Sequence, residues 1–375
     1  MQYSRALVQA AVLGALTLAL TALPTSSPTR SILALAGAAG LYPRAAVAEG
    51  ARFTEAAYRS ATLAAVWGRT GDGPGEFRWP FDVAVAPDGS VFVLDYGFKE
   101  RLGQTNTPRV QRFDRDGRFL SEWGHGQLDR PFALTIGPDG DVWVADTFHH
   151  AVKHFAPDGT LRASWGSLGT EAGEFDRPTD LHFDRAGNLH VVEFGNNRVQ
   201  VFAPNGRSFR TWGGAGIGPG QLCGPHGIAV DAAGAVYVGD TNNHRIVKYG
   251  PTGSLLEQWE SQPVGTPSCP RAAGDIDCPP FANGQLCRPR HLALDPAGNV
   301  LVADRNHHRI QIFGSRGRPL GTVSGDGTTP GQLRFPYGVA VTAGGELFVA
   351  DTDNDRLQRF DLGAPFRADL PLVRR

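Results

Sequence analysis

The stretch Pro225-His-Gly-Ile-Ala-Val-Asp-Ala-Ala-Gly-Ala-Val-Tyr-Val-Gly-Asp-Thr-Asn-Asn-His-Arg245-Ile-Val-Lys-Tyr decides the fold, because five relatives of it begin at Pro80, Pro131, Pro178, Pro289 and Pro336. Each copy has an alternating apolar run, a Gly-ending turn and a second run that closes on an acid: Asp95, Asp146, Glu193, Asp240, Asp304 or Asp351. A third run ends in an aromatic (Phe113, Phe155, Phe202, Tyr249, Phe313, Phe360). Short strands recurring with a period near 45 residues predict propeller blades rather than a helical solenoid. The expected fold class is all-β: a six-bladed propeller of four-stranded antiparallel blades.

Counting strands closes the ring. In each copy strand a is the first apolar run, Asp82–Val85 in the first, and a tight turn such as Pro87-Asp-Gly or Ala233-Gly follows, where a φ > 0 position favours glycine. Strand b ends at the acid and strand c at the aromatic. A fourth strand, d, ends at Trp123, Trp165, Trp212, Trp259 and, in the fifth copy, Val323. Six a–b–c sets are therefore followed by only five d strands. Leu63-Ala-Ala-Val-Trp67-Gly carries the missing pattern, so the N-terminal strand is expected to complete the last blade and remove an exposed edge. The tail with Pro365 and Pro371 is the rival for that place. Residues 62–361 then make the propeller, with a targeting segment at 1–48, a linker at 49–61 and a tail at 362–375.

Composition narrows the function. Thirty-six Lys and Arg stand against thirty-seven Asp and Glu, so no basic excess marks a nucleic-acid surface and none is expected as a partner. Met1 to Arg5 carries one positive charge and Ala6 to Leu23 is almost wholly apolar, the pattern of a secretory signal. Leu20-Thr-Ala22 and Ala46-Val-Ala48 both offer small-residue cleavage sites. The chain is expected to be a monomer in the periplasm or outside the cell; the alternative is an anchor formed by the uncleaved segment. Four cysteines fit an oxidising compartment. Cys223 and Cys287 occupy equivalent Gly-Gln-Leu-Cys sites in adjacent copies, while Cys269 and Cys278 share one insertion. Of the three possible pairings, Cys269–Cys278 with Cys223–Cys287 ranks first.

Val-Gly-Asp240-Thr-Asn-Asn-His-Arg245-Ile, Val-Ala-Asp304-Arg-Asn-His-His-Arg309-Ile and Val-Ala-Asp351-Thr-Asp-Asn-Asp-Arg356-Leu resemble the NHL repeat. The resemblance covers roughly residues 62–361 and implies six blades. It implies no single activity, since members include RNA-binding domains, sensor domains and peptidyl-amidating lyases.

Meander geometry puts the d–a and b–c connections on one face, here the upper face. Both long insertions, Tyr96 to Pro108 and Gln262 to Gly284, belong to it. The two residues after each repeat proline enter the channel mouth there: Phe81-Asp82, Phe132-Ala133, Thr179-Asp180, His226-Gly227, Arg290-His291 and Tyr337-Gly338. Asp82, Asp180, His226, Arg290, His291 and Tyr337 break the repeat, so the blades do not need them. They are the candidate ligand-binding residues, for a protein, a glycan or a small ligand. The pairs His149/His150 and His307/His308 look like metal ligands, but His244 shows that a His before the Arg belongs to the repeat.

The second reading is a metal-dependent lyase or hydrolase resembling the amidating lyase, whose zinc is held by histidines around the channel. His226 in Pro-His-Gly matches one of these, but the same place holds Phe81, Phe132, Thr179, Arg290 and Tyr337 in the other copies. A three-histidine layer is therefore missing. His291, one residue out of register, and His182, deeper in its strand, offer a looser set with His226 for zinc or calcium. Arg290 and Tyr337 would then be the catalytic pair. Binding without a cofactor is the preferred reading.

Overall fold

A computed structural model describes residues 61–97, 107–260, 269 and 282–363. The targeting segment, most of both insertions, Cys278 and the tail from residue 364 lie outside them. Among the described residues, twenty-four strands form six four-stranded antiparallel sheets. Each sheet is one blade, built from a to d in chain order. The last blade runs Thr62–Trp67, Arg356–Asp361, Glu346–Asp351, Val339–Val341. Leu63 lies opposite Phe360 and Trp67 opposite Leu357. The N-terminal strand thus closes the ring, as the missing d strand requires.

Apolar side chains fill the spaces between blades. Phe92, Leu94, Val110 and Trp123 of blade 1 pack on Leu134, Val142, Val144 and Phe155 of blade 2. A strand-d tryptophan lies on the aromatic that ends strand c of the next blade: ring centroids are 4.6 Å apart for Trp123–Phe155, 5.7 Å for Trp259–Phe313 and 6.1 Å for Trp67–Phe113. A glycine in the next blade's c–d turn makes room for the ring. A Cβ on Gly159 (φ +90°) would stand 2.3 Å from Trp123.

The strand-b acids lock each blade to the loop above it. Asp240 accepts from the Cys223 N–H at 2.6 Å and from Arg245 Nε at 2.7 Å. Asp304 repeats this with Cys287 and Arg309, and Asp351 with Arg334 and Arg356. In blade 2, where Ala151 replaces the arginine, Lys153 and His149 take its place at 2.6 and 2.7 Å from Asp146. The histidine just before strand c joins blades. His150, His244 and His308 are left-handed (φ 52°, 56°, 54°). Their Nδ1 atoms accept the N–H of Arg177, Arg288 and Phe335 in the following blade, at 3.2, 3.2 and 3.1 Å. The histidine pairs are structural.

The disulfides differ from the expectation. Cys223 is bonded to Cys269, with Cα atoms 5.8 Å apart, which excludes both Cys269–Cys278 and Cys223–Cys287. Cys287 is also disulfide-bonded, and no described cysteine is free. Equivalence between blades was the wrong guide. Cys223 and Cys287 are each pinned through their own N–H to their own blade's acid. A bridge between them would have to cross one blade-to-blade step, whereas Cys269 stands beside the Cys223 loop.

Candidate functional site

Strand a begins differently in alternate blades. In blades 1, 3 and 5 it spans Pro80–Val85, Pro178–Phe183 and Pro289–Leu294, and the pairing register shifts just after the proline. In blades 2, 4 and 6 it starts later, at Ala133, Ile228 and Val339. Such a bulge re-aims the side chains beside it. The six candidate residues consequently separate into two layers.

The lower layer comes from the odd blades. His291 Nε2 lies 3.4 Å from Asp180 Oδ2 and 3.6 Å from Asp82 Oδ1. Each of the three side chains also reaches the backbone of the next, even blade. Leu134 N–H donates to Asp82 Oδ2 (2.9 Å), Ile228 N–H donates to Asp180 Oδ2 (2.8 Å), and His291 Nδ1 lies 3.0 Å from the Val339 carbonyl oxygen and 3.3 Å from the Val339 amide nitrogen. The even blades answer with threonines: Thr147, Thr241 and Thr352 donate to the carbonyls of Pro178, Pro289 and Pro80 at 2.7, 2.6 and 2.8 Å. Where the odd blades carry Asp or His, the even blades carry Ala133, Gly227 and Gly338. A Cβ on Gly227 would lie 2.0 Å from the Arg290 carbonyl oxygen, and one on Gly338 2.5 Å from the Asp82 Cα.

The upper layer is aromatic and cationic. Phe81 is sandwiched between Tyr96 and Tyr337, with centroids 4.2 and 4.5 Å away, and Phe132 stands beside the three at 5.4, 5.8 and 5.9 Å from Phe81, Tyr96 and Tyr337. His226 meets Phe194, Phe132 and Tyr337 edge-on. The Arg290 guanidinium lies 5.1 Å from the centre of the Tyr337 ring and donates to its hydroxyl at 3.4 Å. Arg290 Nε is buried without a hydrogen-bond partner. Arg305 covers the Phe335 ring at 4.7 Å, and burial together with the charges of Arg290 and Arg288 pulls it down to about 10. Among the described residues neither Arg290 nor Arg305 makes an ion pair, and Asp353 acts on Arg305 only at longer range.

The two layers differ in charge. Burial pushes Asp82 up to about 7, against the pull of His291. Burial also opposes the His291 imidazolium, but Asp180 and Asp82 outweigh it and hold that ring at about 10. In the upper layer, burial and then Arg290 drive His226 well below its ordinary value. Burial lowers His190 too. The sign follows directly. Both rings stay neutral in the fold and take up a proton in the unfolded chain near pH 6.5. Their stabilisation is therefore full above pH 6.5 and is lost as the pH falls below it, at up to about 1.4 kcal/mol per pH unit and group. Between pH 7.5 and 5.0 the melting temperature of His226→Phe, which installs the residue of blades 1 and 2, is expected to shift upward relative to that of the parent, because the variant lacks this proton uptake on unfolding. Equal slopes in the two proteins would refute the assignment to His226.

A cavity of about 640 Å³ opens on the opposite face. Its lining runs from His182 and His291 at the inner end, past Ala84 and Ala293, to the a–b turns at Asp88 and Gly344. His182 Nδ1 has no hydrogen-bond partner there, and burial, opposed by Asp180, lowers that ring to about 4. The looser histidine set does not assemble. Groups of three or more ligand atoms within 4.8 Å of one another, among the described residues, are Asp82/Asp180/His291 and Asp139/Asp141/His154. His226 belongs to the upper layer, where its Nδ1 lies 3.1 Å from the Gly224 carbonyl oxygen. Arg305, Tyr96 and Phe194 were not singled out from the sequence. They occupy the place after the strand-b acid that Thr147, Thr241 and Thr352 fill in the even blades, so the same search for repeat-breaking residues, moved to that place, finds them.

Residues 222–249, 286–313 and 333–360 match the NHL repeat. No curated protein matches the chain. Similar solved structures include a streptogramin B lyase at 13% identity and TM-score 0.52, covering 81% of this chain and 98% of that one. An auxiliary nutrient binding protein from Bacteroides thetaiotaomicron gives 14% and 0.57, covering 80% and 75%. A candidate gluconolactonase gives 15% and 0.53, covering 80% and 93%. At these identities the likeness is one of propeller fold alone. The chain is therefore a six-bladed β-propeller in which three blades carry NHL repeats.

Proposed function

We propose that this propeller is an exported binding module whose upper face captures a small ligand through an anionic group. One observation carries the reading: among the described residues Arg290 and Arg305, both half-buried, make no ion pair, Arg290 lies over Tyr337 of the aromatic group Phe81, Tyr96, Phe132 and Tyr337, and Arg305 lies over Phe335. A guanidinium held partly out of water without an ion-paired carboxylate favours an arriving anion, and the ring faces supply apolar contact for the rest of the ligand. Export is supported by the signal-like leader and by the Cys223–Cys269 disulfide.

Calorimetric titration with benzoate, glucuronate and inorganic phosphate tests the site. At least one of these is expected to bind, and Arg290→Ala is expected to weaken it by about ten- to hundredfold, the size of a lost charge-assisted hydrogen bond. The melting temperature is expected to stay nearly unchanged, since Arg290 locks no blade. Failure of all three probes, or a large stability loss with binding intact, would refute the reading.

A further inference from the structure

We infer that Asp82, Asp180 and His291 form a zinc site inside the channel, reached from the a–b turn face. This goes beyond the upper-face reading and does not depend on it. The three ligand atoms come from alternate blades at one level. Separations of 3.4 and 3.6 Å from His291 Nε2 to the two carboxylates are long for hydrogen bonds. They match the ligand-to-ligand edge of about 3.3–3.4 Å that tetrahedral zinc imposes with bonds of about 2.0–2.1 Å.

The outer contacts are those of a ligand set. His291 Nδ1 lies 3.0 Å from the Val339 carbonyl oxygen and 3.3 Å from the Val339 amide nitrogen, and the neutral tautomer with its proton on Nδ1, toward the nearer carbonyl, turns the Nε2 lone pair toward the carboxylates. Asp180 accepts the N–H groups of Leu181 and Ile228 at 2.7 and 2.8 Å, and Asp82 Oδ2 that of Leu134. Bonds of this kind fix ligand orientation around protein-bound metals. Asp82 Oδ1 is the independent sign. Asp82 is only 1% exposed, yet among the described residues this oxygen has no hydrogen-bond donor, and it faces His291. The His291 ring nitrogen lies 3.6 Å from it, beyond hydrogen-bond distance, and a buried carboxylate oxygen in that state has room for a closer cation.

Two carboxylates neutralise a divalent ion, and one imidazole beside them favours a borderline metal over calcium or magnesium. Three protein ligands leave a fourth position. His291 and His182 both line the cavity, so small molecules can reach that position from solvent. The other cluster is a surface network already engaged: Asp141 pairs with Arg162 at 2.6 Å and with His154 at 2.7 Å.

The test uses the full chain, stripped with EDTA and titrated with zinc chloride. One zinc per chain is expected by elemental analysis, with a zinc-dependent rise in melting temperature of the unaltered protein. His291→Gln and Asp180→Asn are expected to weaken zinc binding at least a hundredfold, whereas Asp139→Asn and Arg290→Ala leave it unchanged. Cobalt(II) in place of zinc is expected to show weak visible bands without a thiolate charge-transfer band. The inference falls if the unaltered protein takes up no stoichiometric zinc and gains no thermal stability from it. It falls equally if His291→Gln binds as tightly as the parent, or if cobalt reports thiolate. An imidazolium held between two aspartates, with no metal, would then be the role of the cluster.

Discussion

Deleting residues 1–68 is expected to abolish cooperative unfolding and to make the protein aggregate. The lost strand pairs along its length with Arg356–Asp361, and without it that strand becomes a bare edge whose N–H and C=O groups invite another chain. The loss is also one of core. Trp67 is 8% exposed and lies between Phe113 of blade 1 and Phe348 of blade 6, with centroids 6.1 and 5.6 Å away. Emptying such a site alone costs about 3–5 kcal/mol, a third or more of the about 5–15 kcal/mol that holds a typical domain together. Calorimetry and light scattering check this, with truncation at residue 60 as the control that keeps the strand. A 1–68 deletion that melts like the control would show that the ring closes elsewhere.

The second large effect is expected at Arg245. Its Nε donates to Asp240, and its two terminal nitrogens donate to the carbonyls of Ile217, Gly218 and Gln221 at 3.2, 3.0 and 2.8 Å. Asp240 is fully buried, and burial already lifts it to about 6 against the pull of Arg245. Arg245→Ala leaves that carboxylate without its cation and frees the d–a loop, and breaking a buried pair from one side costs about 3–5 kcal/mol. Denaturant unfolding of Arg245→Ala and Arg290→Ala side by side gives the contrast: one arginine braces a blade, the other faces a mouth. A change below about 1 kcal/mol for Arg245→Ala would overturn the lock.

Much of this architecture could be read from the chain itself. The period, the glycine turns and the unmatched d strand are local patterns, and apart from the N-terminal strand on Arg356–Asp361 each strand's partner is its neighbour in sequence. The site was less legible. Asp82 and Phe81 are adjacent in the chain, and sequence spacing assigns both to one mouth. A bulge just after Pro80 sends them to different layers, and no single copy of the repeat announces a bulge. The signal is present only when copies are compared two apart. Pro-Phe-Asp, Pro-Thr-Asp and Pro-Arg-His alternate with Pro-Phe-Ala, Pro-His-Gly and Pro-Tyr-Gly. The cysteines failed for a related reason. Repeat equivalence reports position within a blade, while a disulfide depends on distance between chains of loop that the repeat does not govern.

That two-step alternation restricts how many blades this ring can have. A residue that reaches forward, such as Asp82, must meet a neighbour that yields space, such as Ala133, and that neighbour must hand a threonine on to the next reaching blade. Such an order closes on itself only when the number of units is even. A seventh blade of either kind would set two reaching or two yielding blades side by side, the frustration of an odd ring of alternating spins. A designer who wishes to enlarge the channel and keep this order must therefore insert two blades at once.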